Sequence, residues 1–176
     1  MDASYLAHKD AKSYTGYRMS FGRFGSFYTK SVKQKLVATS STHAEMRALF
    51  TLILDISFTV HLCKEIGRPI ALPAIVFKDN QPVKDLSKTL GGKITRSKYF
   101  LMLIESIREQ VVSGLIELKK ISSEQNVADV HTKLLFGKDF TTKASYLLGE
   151  MGIEVEDLAE LTSWMEEQIE KQPHQP

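Results

Sequence analysis

Four acidic residues stand where a folded chain can bring carboxylates together. They lie at the ends of apolar strand-like runs or at the starts of helices: Asp2, Glu45, Asp79 and Asp129. Strand ends and helix starts meet at the edge of a sheet, so the four side chains could converge there. A cluster of like charges is costly unless cations fill it, and carboxylate oxygens are hard ligands that suit Mg²⁺ or Mn²⁺. The four positions therefore predict a divalent-metal site.

Glu45 also has a simpler structural interpretation. It lies in the segment Ser40–Leu49, which has the pattern of a helix start. Ser41 or Thr42 can cap the free N–H groups of the first turn, and Glu45 is placed to complete a capping box. Taken alone, Glu45 favours the capping role, because capping boxes are common. The positions of the other three acids favour a functional role.

The elements that would position these acids alternate between strands and helices. Polar residues alternate with aromatic or apolar ones in a predicted hairpin, and apolar residues recur at helical spacing in the first helix. The predicted elements are, in order, a strand end at Met1–Ala7, a hairpin of Ser13–Gly22 and Ser26–Lys33, a helix over about Thr42–Ile66, a strand at Ala74–Phe77, helices near Gln81–Thr89 and Ser97–Val112, a strand at Leu115–Ile121, a helix from about Asn126, a helix at Phe136–Leu148 and an acidic amphipathic helix at Val155–Lys171. This order predicts an α/β fold whose sheet is partly antiparallel and partly parallel, with helices packed on it.

Length and composition restrict the class of protein. The 176 residues suffice for one sizeable core, and contents of 43% hydrophobic and 25% charged residues are ordinary for a globular protein. Cys63 is the one cysteine, so no disulfide can form within the chain, and a reducing compartment is expected. No apolar run approaches about 18 residues, and the N-terminus lacks a signal-peptide pattern, so neither a membrane span nor secretion is expected.

The net charge of +2 hides an asymmetry along the chain. Residues 150–176 contain eight acids and one base, a charge of −7, whereas residues 1–149 contain 22 bases and 13 acids, a charge of +9. A basic body suits a polyanionic partner such as a nucleic acid. Many stable domains are mildly basic without binding nucleic acid, so charge alone leaves both interpretations open.

Four short segments, one around each acid, resemble a known family. They are Met1–Ser4, Ser40–Glu45, Lys78–Gln81 and Val127–Lys133. In order and in spacing, with intervals of 43, 34 and 50 residues between the acids, they resemble the ribonuclease H domain of copia-type LTR retrotransposon Pol polyproteins. The likeness covers roughly residues 2–140. One such segment would be weak support, but four in order, each on a suitable element, are specific.

The resemblance implies a fold, a domain boundary and an activity. The fold would be a ribonuclease H-like mixed five-stranded sheet with helices packed on it, in a domain of residues 1–140. Residues 141–176 would form a C-terminal helical extension and tail that includes the acidic helix. Members of the family cleave the RNA strand of an RNA–DNA hybrid during reverse transcription and leave 5′-phosphate and 3′-hydroxyl ends.

The resemblance also implies roles for individual residues. The family's catalytic acids bind two Mg²⁺ or Mn²⁺ ions at the scissile phosphate, and they fall on the four carboxylates Asp2, Glu45, Asp79 and Asp129. Five neighbouring residues are candidate contacts to the hybrid, although for each of them a capping or solvated-surface role competes with binding: Ser4, Ser41, Asn80, Gln81 and Lys133. His43 is expected to be exposed, and His131 is expected to have a structural or surface role.

The chain departs from the family pattern in three places. It starts one residue before Asp2, within what is an internal strand in the family, so the first strand is expected to be short and Asp2 to be poorly fixed. Lys98–Leu101 stands where the family has a Lys-His-Ile-Asp stretch. The acidic helix Val155–Lys171 lies beyond the resemblance.

Two functional interpretations therefore stay open. The first is a ribonuclease H, active or formerly active, that acts on an RNA–DNA hybrid, with the reverse transcriptase portion of the same polyprotein as a candidate partner. The second is a catalytically silent, retroelement-derived remnant that binds nucleic acid or a protein partner. An unrelated α/β binding domain would require four coincidences. The expected location is cytoplasmic, in virus-like particles, or nuclear, without a membrane, and the sequence predicts no oligomeric state.

Overall fold

The computed structural model describes residues 1–7, 9–22, 25–79 and 98–151. Its strands and helices follow the order that the sequence predicts. They are β1 (Asp2–Ser4), β2 (Tyr14–Met19), β3 (Tyr28–Lys33), α1 (Ser41–Glu65), β4 (Ala74–Lys78), α2 (Lys98–Val112), β5 (Ile116–Lys120), a 3₁₀ helix (Val127–His131) and α3 (Gly137–Leu148). The predicted helices near Gln81–Thr89 and at Val155–Lys171 lie outside the described residues.

β1, β2 and β3 form an antiparallel sheet. Asp2 lies opposite Gly16 in β2, and Tyr17 lies opposite Lys30 in β3. Successive residues of a strand point to opposite faces of the sheet, so Gly16 and Tyr17 lie on opposite faces. Tyr17 is fully buried on the face that α1 covers, whereas Gly16 lies against the 3₁₀ helix.

β4 and β5 form a two-stranded parallel sheet, with Ala74 opposite Ile116 and Lys78 opposite Lys120. Parallel strands require a crossover connection, and here the connection includes α2, which packs on α1 and β5. β4 ends at Lys78, so Asp79 is the first residue after this strand.

The predicted α/β class is confirmed, but the described strands do not form one five-stranded sheet. β1 has three residues, all paired with β2, and it approaches β4 through the Met1 ammonium group, which donates to the Phe77 carbonyl oxygen at 2.9 Å. One such hydrogen bond does not make a ladder. The three antiparallel strands and the two parallel ones therefore form separate sheets among the described residues.

The hydrophobic core lies between α1, α2 and the strands. Met46, Leu49 and Ile53 of α1 are buried in one cluster with Val76 of β4 and Ile107 of α2. Burial of one such side chain contributes about 1.5–3 kcal/mol. This packing fixes the start of α1 against β4, and both elements carry acids of the predicted site.

The C-terminal half of α1 exposes an apolar stripe. Its members are at helical spacing and each is about half exposed or more: Leu54, Phe58, Leu62 and Ile66. By length and composition α1 could cross a membrane, because it contains an 18-residue window with a mean hydropathy of 1.5, and it is the one described helix that meets this criterion. Core helices of globular proteins meet it too, and the N-terminal half of α1 lies in the core. The criterion therefore carries no conclusion about membranes.

Gly16 is the point where β2 comes closest to the 3₁₀ helix. A Cβ atom added to Gly16 would lie 2.5 Å from Thr132 Cγ2 and 2.7 Å from His131 Cβ, so the helix would have to shift. We predict that Gly16→Ala lowers the free energy of unfolding by about 1–3 kcal/mol, as at other overpacked sites, which urea denaturation can measure.

Gly22→Ala is the matched control for this prediction. Gly22 has a φ of 79°, and no described atom lies within 4 Å of a Cβ added there. Alanine should cost about 1–2 kcal/mol through the left-handed conformation alone. Amide chemical shifts of Val127–His131 should move in Gly16→Ala and stay unchanged in Gly22→Ala. Unchanged shifts in both variants would contradict the close contact.

His43 lies in the first turn of α1 and is buried, so the expectation of an exposed side chain is wrong. Its ring packs against Tyr99 and Phe100 of α2, and its Nδ1 atom lies 3.0 Å from the Thr39 hydroxyl oxygen. Burial lowers the pKa of His43, and the charge of Arg47 lowers it further. The imidazole is therefore held in its neutral form by the fold.

A lowered histidine pKa makes stability depend on pH. The contribution of His43 is complete above its unfolded-state pKa of about 6.5 and is lost as the pH falls toward the lowered folded-state value. We predict that the free energy of unfolding falls between about pH 7 and pH 5, and that it falls less in His43→Asn, whose side-chain oxygen keeps an acceptor near Thr39. Urea denaturation across this pH range measures both proteins. Equal falls would remove His43 as a cause.

Candidate functional site

The N-cap of α1 lies one residue before the first of the predicted caps. Ser40 is the N-cap, and its hydroxyl oxygen accepts a hydrogen bond from the His43 N–H at 3.1 Å. Glu45 therefore lies in the second turn, and the first turn of α1 contains no acid. The predicted capping box with Ser41 or Thr42 is wrong, and the Glu45 carboxylate is left for other partners.

Glu45 joins three elements of the fold. Its Oε1 atom accepts a hydrogen bond from the Ala3 N–H of β1 at 3.3 Å, and its Oε2 atom accepts one from the Lys78 ammonium group at the end of β4. Glu45 is 6% exposed and Lys78 is 3% exposed. Burial raises the pKa of Glu45, Lys78 opposes the rise, and the charges of Asp2 and Asp79 add to it. Glu45 therefore lies in a buried environment, and the ammonium group of Lys78 partly offsets the negative charge there.

Asp2 is also buried, and β1 places it next to the 3₁₀ helix. Its Oδ2 atom accepts a hydrogen bond from the Thr132 hydroxyl, and Lys133 Nζ lies 3.7 Å from the same oxygen. The predicted substrate contact Ser4 uses its Oγ atom to accept from the Tyr14 N–H at 2.9 Å, which extends the pairing of β1 with β2. The expectation that Asp2 is poorly fixed is wrong, because side-chain contacts hold it where the strand is short.

Asp129 is the third residue of the 3₁₀ helix and is buried. Its Oδ1 atom accepts from Lys133 at 2.7 Å, and its Oδ2 atom accepts from Lys143 of α3 at 2.6 Å. The Lys143 ammonium group also donates to the carbonyl oxygens of Ser123 and Asn126, each at 3.1 Å. An ammonium group has three hydrogens to donate, so these three acceptors satisfy Lys143 completely.

Asp79 is less buried than the other three acids. Its Oδ2 atom accepts a hydrogen bond from the Ser123 hydroxyl at 3.2 Å. The carbonyl oxygen of the same Ser123 accepts from Lys143, which in turn contacts Asp129. The loop after β5 thus connects the end of β4 with the 3₁₀ helix.

Lys133 lies among the acids and responds to the charge of three of them. Burial alone would lower the pKa of Lys133, but its hydrogen bond with Asp129 and the charges of Asp2, Asp129 and Asp79 outweigh burial, and the pKa is raised. Glu45 responds to the charges of Asp2 and Asp79 in the same way. The charges of Asp2 and Asp79 thus act on both Glu45 and Lys133, and that of Asp129 acts on Lys133. We call the four acids the acid cluster: Asp2, Glu45, Asp79 and Asp129.

The acid cluster has the chemistry of a site for a hard divalent cation, but its oxygens are already engaged. Three lysine ammonium groups contact the acids: Lys78, Lys133 and Lys143. Among the described residues, no three His, Cys, Asp or Glu side chains are placed to hold one metal ion. In this arrangement the residues do not fit a two-metal site, and the positive charge that the acids require comes from the chain itself.

The predicted contacts to the hybrid differ in their placement. Ser41 is exposed at the start of α1. The Lys133 side chain is 44% exposed, with its ammonium group bound to Asp129. Asn80 and Gln81 lie outside the described residues. Ser41 and Lys133 are thus the described candidates that solvent can reach beside the acid cluster.

Sequence reasoning missed two of the lysine partners. Lys78 was part of a segment chosen for its aspartate, and Lys143 lies beyond residue 140, where the resemblance ends. A signal for Lys143 was present, because it shares one helical stripe with Phe140 and Leu147. A lysine on an apolar stripe is seldom buried without a partner, so its position could have prompted a search for one.

The chain is similar to part of several retrotransposon polyproteins. It is 30% identical over 145 residues, 82% of the chain, to the retrovirus-related Pol polyprotein from transposon RE1 of Arabidopsis thaliana. It is 32% identical over 124 residues, 70% of the chain, to the retrovirus-related Pol polyprotein from transposon TNT 1-94 of Nicotiana tabacum. It is 27% identical over 111 residues, 63% of the chain, to the transposon Ty1-NL2 Gag-Pol polyprotein of Saccharomyces cerevisiae.

These matches cover only a small part of each relative. The chain spans 10% of the RE1 polyprotein, 9% of the TNT 1-94 polyprotein and 6% of the Ty1-NL2 polyprotein. No protein-family model and no solved structure matches the chain. The homologues found are thus retrotransposon Pol polyproteins, which suggests a function related to retroelements.

Lys143→Met tests the contribution of the buried lysine to the fold. Loss of one partner of a buried ion pair costs about 3–5 kcal/mol. In this variant Asp129 still has Lys133 as a partner, so we expect the free energy of unfolding to fall by about 3 kcal/mol, the lower end of that range. Urea denaturation measures the fall. Lys138→Met, at an exposed position of α3, is the control and should change stability by less than about 0.5 kcal/mol.

The double variant Lys143→Met with Asp129→Asn separates charge pairing from packing. It should lose less stability than the sum of the two single variants, because no unpaired charge remains next to α3. Additive losses would show that the Lys143–Asp129 contact contributes no coupling.

Proposed function

We propose that this chain is a ribonuclease H that hydrolyses the RNA strand of RNA–DNA hybrids within a retrotransposon Pol polyprotein. The observation that carries the proposal is a chain of contacts that links four acids from β1, α1, the end of β4 and the 3₁₀ helix. Lys133 contacts Asp2 and Asp129, Lys143 and Ser123 link Asp129 to Asp79, and Glu45 accepts from the N–H of Ala3, the residue after Asp2. These are the acids that the sequence resemblance selects. The similarity to Pol polyproteins supports a retroelement context.

The proposed activity requires Mg²⁺ or Mn²⁺, in two sites. In the described arrangement, ammonium groups engage the oxygens that such ions would use, so metal binding must displace them. The half-exposed Lys133 is the easiest to displace, since solvent reaches its side chain and water can take over its solvation. Once released from Asp129, its ammonium group lies close enough to the acids to meet a phosphate of the bound strand.

Recognition of the hybrid should use the wide minor groove, where 2′-hydroxyl groups mark the RNA strand. Ser41 is exposed at the start of α1, and its hydroxyl can both donate and accept a hydrogen bond. The excess of bases in residues 1–149 favours a polyanionic substrate. Substrate binding in the proposal therefore combines Ser41, Lys133 and the charge of the basic body.

A second function, nucleic-acid binding without cleavage, is favoured by one specific observation. Each acid of the cluster has a donor from the chain itself, including the ammonium groups of Lys78 and Lys143, which are buried. Such a cluster keeps its charge balance without a divalent cation. A protein of this kind would bind the hybrid through its basic surface and leave it intact.

A cleavage assay separates the two functions. We expect a labelled RNA–DNA hybrid to be cut in the presence of Mg²⁺ or Mn²⁺, and an RNA–RNA duplex to stay intact. Asp79→Asn keeps a hydrogen-bond acceptor for Ser123 but loses the charge, and it should reduce the cleavage rate by more than about 100-fold. Asp139→Asn, at an exposed position of α3, is the matched control and should cut at the parent rate.

Three outcomes would decide against the ribonuclease H. Retained binding of the hybrid without cleavage at any metal concentration would support the second function. Cleavage by Asp79→Asn at the parent rate would remove Asp79 from the mechanism and indicate a contaminating nuclease. A chain that neither cuts nor binds the hybrid would contradict both functions.

A further inference from the structure

Lys78 is unusual among the described lysines and arginines because its whole side chain is buried. It is the last residue of β4, it is 3% exposed, and its ammonium group contacts Glu45 Oε2. A lysine is almost never buried to this extent unless it is paired, because transfer of an unpaired ammonium group out of water is very unfavourable. Lys78 and Glu45 therefore depend on each other for burial.

The position of Lys78 also decides what Glu45 can bind. Oε1 of Glu45 accepts from the Ala3 N–H, and Oε2 accepts from Lys78, so each oxygen of this carboxylate has a donor. A divalent cation needs carboxylate oxygens that are free of competing cations, and two positive charges on one oxygen repel each other. The ammonium group thus occupies the place where a metal ion would contact Glu45.

We propose that Lys78 is a positioning residue that acts as the internal counter-cation of Glu45 and excludes divalent metal from this side of the acid cluster. The proposal deepens the proposed function, since it concerns the metal affinity of the same acids, but it does not require that the chain cleave anything. Removal of the Lys78 charge should free Glu45, leave the cluster with excess negative charge and turn it into a tighter site for Mn²⁺.

A purely structural ion pair makes a different prediction. If Lys78 only fills space and neutralises Glu45, its replacement lowers stability to the same extent with and without metal. If Lys78 competes with metal, the replacement lowers stability without metal, and Mn²⁺ restores it by binding the folded state. The difference lies in how the melting temperature depends on Mn²⁺, which a structural role alone does not change.

The experiment compares thermal unfolding of the full chain in EDTA and over a series of Mn²⁺ concentrations. Lys78→Gln removes the charge and keeps a donor for Glu45, and Lys78→Arg keeps both. In EDTA, we expect Lys78→Gln to have a lower melting temperature than the wild type. In the Mn²⁺ series, its melting temperature should reach half of its total rise at an Mn²⁺ concentration at least about tenfold lower than for the wild type. Lys78→Arg should behave like the wild type.

Two further variants test whether the gain in Mn²⁺ affinity arises at Glu45. Lys30→Met removes a lysine that pairs with Asp55 at 2.9 Å outside the acid cluster, so it should lose stability without any gain in Mn²⁺ affinity. The double variant Lys78→Gln with Glu45→Gln should lose the gain of Lys78→Gln, because the freed carboxylate is gone. A gain that persists in the double variant would overturn the role of Glu45.

Each remaining outcome of these measurements either supports or overturns the proposal. Equal Mn²⁺ dependence in the wild type and Lys78→Gln would overturn the proposal, and so would a Lys78→Gln chain that Mn²⁺ neither folds nor stabilises. A Lys78→Gln chain that is unfolded in EDTA and folds on addition of Mn²⁺ would support it. Tighter Mn²⁺ binding by Lys78→Gln, with no hybrid cleavage by any variant, would overturn the ribonuclease H and leave the exclusion of metal by Lys78 intact.

Discussion

The structure depends on the neutralisation of carboxylates that folding buries. Asp2, Glu45 and Asp129 are each less than one-tenth exposed, and an ionised carboxylate in such a place is costly unless it is paired. Each finds its donor on another element, so that β1 is tied to the end of the 3₁₀ helix, α1 to β4, and the 3₁₀ helix to α3. Loss of the Lys78–Glu45 pairing would leave a charge buried alone and loosen α1 and β4 at once, whereas Asp129 has two lysine partners. The acid cluster is therefore a structural centre as well as a candidate site.

A second polar contact fixes the hairpin on α1. The Tyr17 hydroxyl donates to Asp55 Oδ2, and Lys30 Nζ lies 2.9 Å from the same oxygen. Burial raises the pKa of Tyr17, and the hydrogen bond to Asp55 raises it further, so the phenol stays a protonated donor. Tyr17 holds β2 on α1, and Gly16, the residue before it, lies against the 3₁₀ helix that carries Asp129. β2 thus contacts both α1 and the 3₁₀ helix, and each of these elements carries an acid of the cluster.

The sequence predicts the elements better than it predicts their contacts. The predicted helix over about Thr42–Ile66 differs from α1 by one residue at each end, because apolar residues at helical spacing give a strong signal over a long segment. The N-cap is harder to predict, because Ser40, Ser41 and Thr42 are all suitable caps and the backbone conformation determines which of them caps the helix. Among the described residues, β1 and β4 do not pair in a ladder, and no local sequence pattern encodes whether two distant strands pair. The lysine partners were missed for a related reason, since the target of a long flexible side chain depends on tertiary packing.

The acids and the lysines carry different information about function. The four acids carry the resemblance to the ribonuclease H family. The lysines determine which ammonium groups a metal ion would have to replace. The Lys133 side chain is 44% exposed, so water can solvate its ammonium group once it leaves Asp129, and Asp129 keeps Lys143 as a partner. Lys78 and Lys143 are nearly inaccessible, and their release would require repacking or leave an ammonium group buried without its partner. At Asp129 a divalent cation would have to replace the half-exposed Lys133, whereas at Glu45 it would have to replace the buried Lys78. The two-metal activity that we propose would therefore be limited mainly at Glu45, which the four acids alone do not reveal.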